Sequence, residues 1–267
     1  MNFISLGYVD LIIASLLLLF SGLLSVYLRL GMEHQIGIAA LRMVVQLILI
    51  GMALKFLFAL VSPLWTGVAA AIMLGLAGRE VMARQKHHFT GWWSYGIGTS
   101  SLMISCTIVT ILALTTQIRP DPWFDPRFAI PILGMVLGNT MNGVAIGLDR
   151  LLSAAVDDRV GIEARLALGQ DRTQAFQPLV RGSVRAGLMH IINSMSAAGV
   201  ISLPGMMTGQ ILAGIDPTEA VKYQILIMFL VAGSTALGTL IAVVFASRRL
   251  TDSRHRLRLD HLEETPI

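Results

Sequence analysis

The first long apolar segment of the chain reads LIIASLLLLFSGLLSVYL over residues 11–28 and contains no Asp, Glu, Lys or Arg. A transmembrane helix needs about 20 consecutive, mostly apolar residues to cross the hydrocarbon core of a bilayer. The only charged side chain that precedes this segment is Asp10, so the positive residues that begin a secretory signal peptide are missing. We therefore predict that the segment forms an uncleaved first membrane span.

Apolar segments of this kind recur along the chain. Of the 267 residues, 55% are hydrophobic and 13% are charged, whereas a soluble domain carries about 25% charged residues. The mean hydropathy of +0.72 excludes an ordinary soluble protein, because even a large soluble domain covers its surface with polar groups. Since backbone groups in lipid must be satisfied within the element, we predict an all-α, polytopic membrane helical bundle of about seven transmembrane helices. Its candidate spans are about 8–28, 36–60, 64–78, 93–115, 130–148, 186–203 and 223–246.

The basic residues predict the orientation of this bundle, because lysine and arginine concentrate in the cytoplasmic loops of membrane proteins. With the N-terminus outside, most of the 20 basic residues lie on the cytoplasmic side. We therefore predict an N-out, C-in topology. The chain then divides into a transmembrane domain over residues 1–247, with a polar cytoplasmic segment at about 149–185, and a cytoplasmic tail over residues 248–267. We expect the tail to be poorly ordered.

Several functions are excluded by what the sequence lacks. A phosphate-binding Walker A loop ends in Gly-Lys-Ser/Thr, but Lys55, Lys86 and Lys222 are followed by Phe, His and Tyr. The chain therefore does not hydrolyse ATP by that chemistry, and we predict neither catalytic residues nor a bound cofactor. The single cysteine, Cys106, cannot form an intramolecular disulfide. Because the basic residues flank apolar segments, they indicate membrane topology and not a nucleic-acid partner.

The most informative polar stretch reads EARLALGQDRTQAF over residues 163–176. Its first half consists of good helix formers, and Gly169 can adopt the left-handed conformation that ends a helix. Asp171 can cap the following helix, with Gln174 as its capping-box partner. We therefore predict an elbow of two helices joined at Gly169 and lying outside the membrane. Two interpretations stay open, a docking surface for a partner and a loop that only reconnects two spans.

The same stretch resembles the Glu-Ala-Ala loop of ABC transporter permeases, in which Glu-Ala-x-x-x-Leu-Gly precedes a short helix. In those permeases the elbow docks in a groove of a separate ATPase and transmits its nucleotide-driven closure to the membrane spans. The match departs at Arg165, where a small residue is usual in the importers. The resemblance implies ATPase-coupling roles for Glu163, Arg165, Leu168, Gly169, Asp171 and Phe176.

A second block, SLPGMMTGQILAG over residues 202–214, is longer and more specific. Together with Arg42-x-x-x-Gln46-Leu47 and Gly138-Asn139-x-Met141, it resembles the FetB family of iron-export ABC permeases, to which the plant aluminium-tolerance permeases belong. The resemblance implies a homodimer in the inner membrane, two copies of a cytosolic ATPase that bind ATP and Mg, and export of iron or another metal ion. A nucleotide sugar is the substrate proposed for a plant complex. The family-motif residues are Leu203, Pro204, Gly205, Met206, Met207 and Gly209.

Polar side chains within the predicted spans are candidates for a transport pathway. A charge in lipid usually faces the bundle interior or a water-filled path, and amide side chains can instead bind helices to each other. Many relatives in the FetB family carry Asp-Ser-x-Lys-Thr where this chain has Asn193-Ser194-Met195-Ser196-Ala197, so both charges are lost here. No residue set predicts a particular metal. The candidate pathway residues are Arg42, Gln46, Asn139, Met141, Asn142, His190, Asn193 and Ser194.

Other classes of membrane protein stay open at this point. A secondary transporter coupled to ions or protons places ionisable residues at mid-membrane, but the deep spans here contain Arg42 and His190 and neither Asp nor Glu. A channel or an assembly scaffold is the third class. The sequence alone identifies neither the substrate nor the direction of transport.

Overall fold

A computed structural model describes residues 7–252, 254 and 256–264, without the side chains of Tyr8 and Glu264. This part of the chain is almost entirely helical, with one short two-stranded sheet. A π-helical turn over Ala113–Ile118 prolongs α4, and a 3-10 turn over Leu259–His261 precedes β2. The elements are α1 (Tyr8–Tyr27), α2 (Glu33–Leu60), α3 (Pro63–Ala83), β1 (His87–Phe89), α4 (Trp93–Leu112), α5 (Pro126–Asp157), α6 (Arg159–Ala167), α7 (Arg172–Ala197), α8 (Gly205–Leu212), α9 (Pro217–Arg249) and β2 (Leu262–Glu264).

The predicted all-α class is confirmed, and six of the described helices are long and apolar enough to cross a membrane. They are α1 to α5, with α4 counted through its π-helical turn, and α9. α7 has 26 residues, about 39 Å at 1.5 Å per residue, but its first half is polar. The seventh span and the N-out, C-in orientation therefore stay predictions.

The sixth predicted span, 186–203, is wrong at its C-terminal end. α7 ends at Ala197, and the chain turns at Gly199, whose φ is +85°. The turn is closed by Gly199 N–H donating to the Ser202 carbonyl at 2.9 Å and by Ser202 N–H donating to the Ala197 carbonyl at 3.2 Å. The apolar character of residues 198–203 concealed this turn from hydropathy, because glycine alone marks it.

The chain divides into two compact units, residues 1–60 and 61–267. In the first unit, α1 and α2 pack as a hairpin. Ser25 fixes the turn between them, since its hydroxyl donates to Glu33 at 3.0 Å and accepts from the Met32 N–H at 3.1 Å. Nearly all apolar side chains of this hairpin are exposed, as expected for helices whose solvent is lipid.

In the second unit, α5 and α9 form the centre, α4 and α7 flank them, and α3 packs on α4 and α5. Two of these helices pack closely at Gly143 of α5 and Gly187 of α7. A β-carbon at Gly187 would lie 2.5 Å from the Gly143 carbonyl oxygen and 2.7 Å from the Thr239 methyl group of α9. Small residues allow such close packing of membrane helices. The hydroxyl of Thr140 donates to that of Ser234 at 2.9 Å and joins α5 to α9 nearby.

One end of the second unit, called the elbow end here, carries the α5–α6–α7 connection and the sheet. The link from α3 to β1 lies beside the end of α5, because Lys86 N–H donates to Asp149 at 2.8 Å. α7 begins at this end and finishes at the other. The two ends of α7 therefore separate the predicted coupling residues from His190, Asn193 and Ser194.

The C-terminal tail folds back onto the elbow end. β2 pairs antiparallel with β1, with His88 opposite Glu263 and Phe89 opposite Leu262. Phe89 is buried, and the Arg258 guanidinium beside Asp260 lowers the pKa of that carboxyl to about 2. The expectation of a poorly ordered tail is therefore wrong for its described residues. Its apolar side chains, spaced between charges, pack against the core: Leu257, Leu259 and Leu262.

This pairing predicts that a disulfide joins the tail to β1 in the variant His88→Cys/Glu263→Cys/Cys106→Ser. Opposed residues in antiparallel strands have Cα atoms about 4.5–5.5 Å apart, within disulfide range. After mild oxidation, neither thiol should react with a polyethylene-glycol maleimide, so the band should not shift on a denaturing gel. The control variant His88→Cys/Arg254→Cys/Cys106→Ser should still take up two labels. Equal labelling of the two pairs would contradict the pairing.

Candidate functional site

The predicted elbow is present, and its local geometry follows from three residues. α6 is capped at Leu168, and Gly169 has φ +89°, which only glycine adopts without strain. The Asp171 carboxylate then accepts from Thr173 N–H at 2.7 Å and Gln174 N–H at 2.8 Å. Asp171 N–H donates back to the Gln174 side chain at 3.3 Å, completing the predicted capping box.

Arg165 holds the elbow together by hydrogen bonds. It is the position at which the elbow departs from the importer pattern. Its guanidinium donates to the Ala175 carbonyl of α7 at 2.8 Å and to the Asp158 carboxylate before α6 at 2.7 Å. One side chain therefore links the end of α5, α6 and the start of α7. A small residue could not make these bonds, so the arginine fixes the angle at which α6 leaves the bundle.

The elbow presents some of its predicted coupling residues and buries another. Leu168 is 84% exposed, and Glu163, Gly169 and Asp171 are also exposed. Phe176 is only 2% exposed and belongs to the core. Any part that Phe176 plays in coupling is therefore to anchor the elbow, because a partner cannot touch it.

At the opposite end of α7, a cavity of about 530 Å³ lies between α5, α7, α8 and α9. It brings together residues from two predicted sets, the pathway residues and the family motif. A volume in this range is typical of small-molecule sites. Its lining residues include Met135, Asn139, His190, Asn193, Ser194, Pro204, Gly205, Met206, Gln224 and Met228.

The polar groups of this cavity are neutral amides, hydroxyls and one imidazole, among thioethers. Asn139 donates to the Met135 carbonyl at 2.9 Å, and the Ser194 hydroxyl donates to the His190 carbonyl at 2.9 Å. Both side chains donate to a backbone carbonyl one turn earlier in their own helix. The side-chain oxygens of Asn139 and Ser194 can therefore still accept a hydrogen bond from a neighbour or a ligand. The described lining residues include neither Asp nor Glu.

Gln224 is a functional candidate that is absent from the predicted pathway residues. It lies in the first third of α9, is 9% exposed, and its Oε1 atom has no hydrogen-bond partner among the described residues. A buried amide oxygen without a partner costs free energy, so it is an acceptor held ready for a ligand or water. Its signal in the sequence was the Tyr223-Gln224 pair that follows the family-motif block.

Other predicted pathway residues lie elsewhere. Met141 packs against the core, and Asn142 accepts from Arg84 of α3 at 2.6 Å. Arg42 and Gln46 are exposed positions of α2 in the first unit, and their place in a pathway stays a prediction. In the motif, Leu203 is 59% exposed, while Met206 and Met207 are partly buried.

No cluster of three or more His, Cys, Asp or Glu residues suited to a metal ion occurs in the described part of the chain. The cavity could bind a metal through imidazole and thioether groups, which favour soft ions. Hard ions such as Fe³⁺ favour carboxylate oxygens, and none lines it. The chemistry of its lining therefore suits a metal that keeps its own ligands, or an organic molecule, better than a bare hard ion.

Residues 8–251 match the family described as Uncharacterised protein family (UPF0014). The chain is 32% identical to the protein of Escherichia coli named probable iron export permease protein FetB, over 96% of each chain. It is 36% identical to a UPF0014 membrane protein of Synechocystis, over 85% of this chain and 87% of the relative. It is also 30% identical to the Arabidopsis thaliana protein ALUMINUM SENSITIVE 3, over 88% of this chain and 84% of the relative. No solved structure matches the chain.

Proposed function

Because the chain belongs to the UPF0014 family and is a multi-pass membrane protein, we propose that it is the permease subunit of an ABC transporter. In this proposal a separate ATPase binds ATP and Mg and drives transport through the elbow. The chain itself carries out no catalytic step. The cargo is iron or another metal ion, moved outward across the inner membrane by a homodimer of this chain with two ATPase copies. The resemblance to the FetB family stated from the sequence motifs is confirmed.

The observation that carries this proposal is the elbow, a braced helix–Gly–helix unit with an exposed apolar tip at Leu168. An ATPase that closes when it binds nucleotide can move the permease only through a rigid contact. Arg165 makes the elbow rigid through its hydrogen bonds to Asp158 and Ala175. The movement of the elbow is then transmitted to α7, which is continuous from Arg172 to Ala197. α7 reaches the cavity through Asn193 and Ser194, so one helix joins the docking surface to the candidate cargo site.

A second candidate cargo is an organic molecule, which the volume of the cavity favours. A bare metal ion would occupy a small part of about 530 Å³, whereas small-molecule sites span roughly 300–1,000 Å³. A nucleotide sugar would bring phosphate charge, and the described cavity lining contains no Lys or Arg to balance it. A chelated metal or a neutral polar molecule fits the lining better.

The cavity part of the proposal is tested by a matched pair of variants, Asn139→Ala and Asn142→Ala, three residues apart on α5. Loss of a polar contact to a bound cargo costs about 1–3 kcal/mol, so Asn139→Ala should raise KM for ATP-driven transport by about 5- to 150-fold. Asn142→Ala removes the bond to Arg84 and should leave KM unchanged. KM is measured for both variants from the rate of transport into inverted vesicles, with Fe(II), other metals, metal chelates and sugar nucleotides as cargo.

The reverse order of effects, or equal effects, would exclude the cavity as the cargo site. Loss of the vesicle transport with an uncoupler, together with indifference to vanadate, would instead favour the secondary-transporter class. Flux in the absence of any energy source would favour a channel.

A further inference from the structure

An apolar groove of about 640 Å³ lies at the elbow end, where α4 begins and α9 ends. Trp92 is 83% exposed and Trp93 is 53% exposed, an unusual display for two adjacent tryptophans. The rest of the groove is formed by the next turns of α4 and by the last turns of α9. Its lining residues are Trp92, Trp93, Ile97, Phe245, Arg248 and Arg249.

Two arginines stand at the rim, and neither is paired with a carboxylate in the described part of the chain. The guanidinium carbon of Arg249 lies 4.1 Å from the centroid of the Trp93 ring, and its buried Nε atom has no hydrogen-bond partner among the described residues. Arg248 is exposed and, like Arg249, forms no ion pair within the described part of the chain. The groove therefore combines an apolar floor with a positive rim that forms no ion pair with any described residue.

The groove also lies at the depth where lipid headgroups are expected. Trp93 is the first residue of one candidate membrane span, and Arg249 is the last residue of another. Tryptophan collects at the membrane–water interface, and basic pockets between transmembrane helices bind anionic headgroups. Gly96, which also lines the groove and is exposed, and Phe245, which is 43% exposed, continue from this level towards the middle of their helices, as an acyl chain would.

We propose that this groove is a binding site for an anionic phospholipid. The phosphate is bound by Arg248 and Arg249, the glycerol region lies against Trp92 and Trp93, and an acyl chain covers Gly96 and Phe245. The charge of the rim selects an anionic over a zwitterionic headgroup, and the apolar floor selects a lipid over a soluble phosphate.

A neighbouring groove repeats the same chemistry on the other side of Trp92. It has a volume of about 730 Å³ and is lined by Leu76, Arg79, Trp92 and Tyr95, among others. Arg79 is exposed and lies near the end of α3, at the same end of the unit. Trp92 thus separates two apolar grooves that each have arginine at the rim, which is the arrangement expected of a surface that retains anionic lipid.

Quenching by brominated lipids tests the site directly, because bromine on an acyl chain quenches only nearby tryptophans. The background Trp65→Phe/Trp123→Phe leaves Trp92 and Trp93 as the reporters, since the chain has four tryptophans. Two sets of mixtures are compared, brominated phosphatidylglycerol with plain phosphatidylcholine, and brominated phosphatidylcholine with plain phosphatidylglycerol. The extent of quenching in each gives the relative binding constant of the two lipids. We expect a preference for phosphatidylglycerol of about fivefold for each arginine.

The variant Arg248→Gln/Arg249→Gln should lose this preference, and Arg254→Gln, the same change in the nearby tail, should keep it. Because the double variant could fold poorly, Arg249→Lys provides a second arm that retains the charge and the preference. Equal quenching by the two lipids in the parent protein would overturn the proposal, as would absence of quenching by both. Relief of quenching by soluble glycerol phosphate would show a site for a soluble phosphate and would also overturn it.

Discussion

Leu168→Asp is expected to reduce ATP-driven transport strongly while leaving the fold of the chain unchanged. Leu168 is 84% exposed at the tip of the elbow, so its replacement breaks no contact in the core. In the proposed complex the same side chain is buried in a groove of the ATPase. Placing a carboxylate there removes an apolar anchor and desolvates a charge, and central interface anchors contribute about 2 kcal/mol or more. Transport should therefore fall by at least about 30-fold.

Two control variants separate loss of the apolar anchor from a change of charge. Leu168→Met keeps an apolar side chain of similar volume and should transport like the parent protein. Gln170→Asp adds the same charge two residues away and should have a much smaller effect. Transport, cargo-stimulated ATP hydrolysis and co-purification of the ATPase are measured for all three. Full transport by Leu168→Asp would show that the elbow only reconnects two helices.

Gly187→Ala is expected to destabilise the second unit strongly. The added β-carbon would lie 2.5 Å from the Gly143 carbonyl oxygen and 2.7 Å from the Thr239 methyl group. The first neighbour is backbone and cannot rotate away, so α7 must move from α5. Overpacking of this kind costs about 1–3 kcal/mol, a large share of the stability of a domain. We expect a marked drop in thermal midpoint and in the yield of monodisperse protein.

Gly182→Ala is the matched control, because it adds the same methyl group five residues earlier on the same helix. Apart from the backbone of its own helix, no described residue has an atom within 4 Å of a β-carbon at Gly182, and alanine is favoured over glycine in a helix by about 1 kcal/mol. This variant should be as stable as the parent protein or more stable. Thermal unfolding in detergent, followed by size-exclusion chromatography, compares the two. Equal midpoints for Gly187→Ala and the parent would contradict the three-helix contact.

The features that the sequence predicted well are local ones. The elbow follows from Gly169 and Asp171, whose conformation and capping depend only on their immediate neighbours. The helical class follows equally from long apolar segments, which need no knowledge of their partners. Asn139, His190, Asn193 and Ser194 were grouped by their polarity alone, and the structure brings them to one cavity.

The features that it missed depend on contacts between distant segments. Nothing near residue 262 indicates that the tail pairs with His87–Phe89, since both strands are three residues long. Asn139 and Asn142 looked equivalent, yet Arg84, on another helix, engages only the second. The family resemblance implied a coupling role for Phe176, but the packing of α7 buries its side chain. Gln224 is hidden in an apolar helix and becomes a candidate only when its oxygen is seen to lack a partner.

ATP-driven transport in proteoliposomes tests the central claim most directly. The vesicles contain this chain with its candidate ATPase, either unchanged or with the catalytic glutamate of the ATPase replaced by glutamine, and they are offered Fe(II), other metals, chelates and sugar nucleotides. The account predicts that one cargo moves only with ATP and only with the unchanged ATPase. Transport of that cargo at the same rate with the inactive ATPase would contradict it.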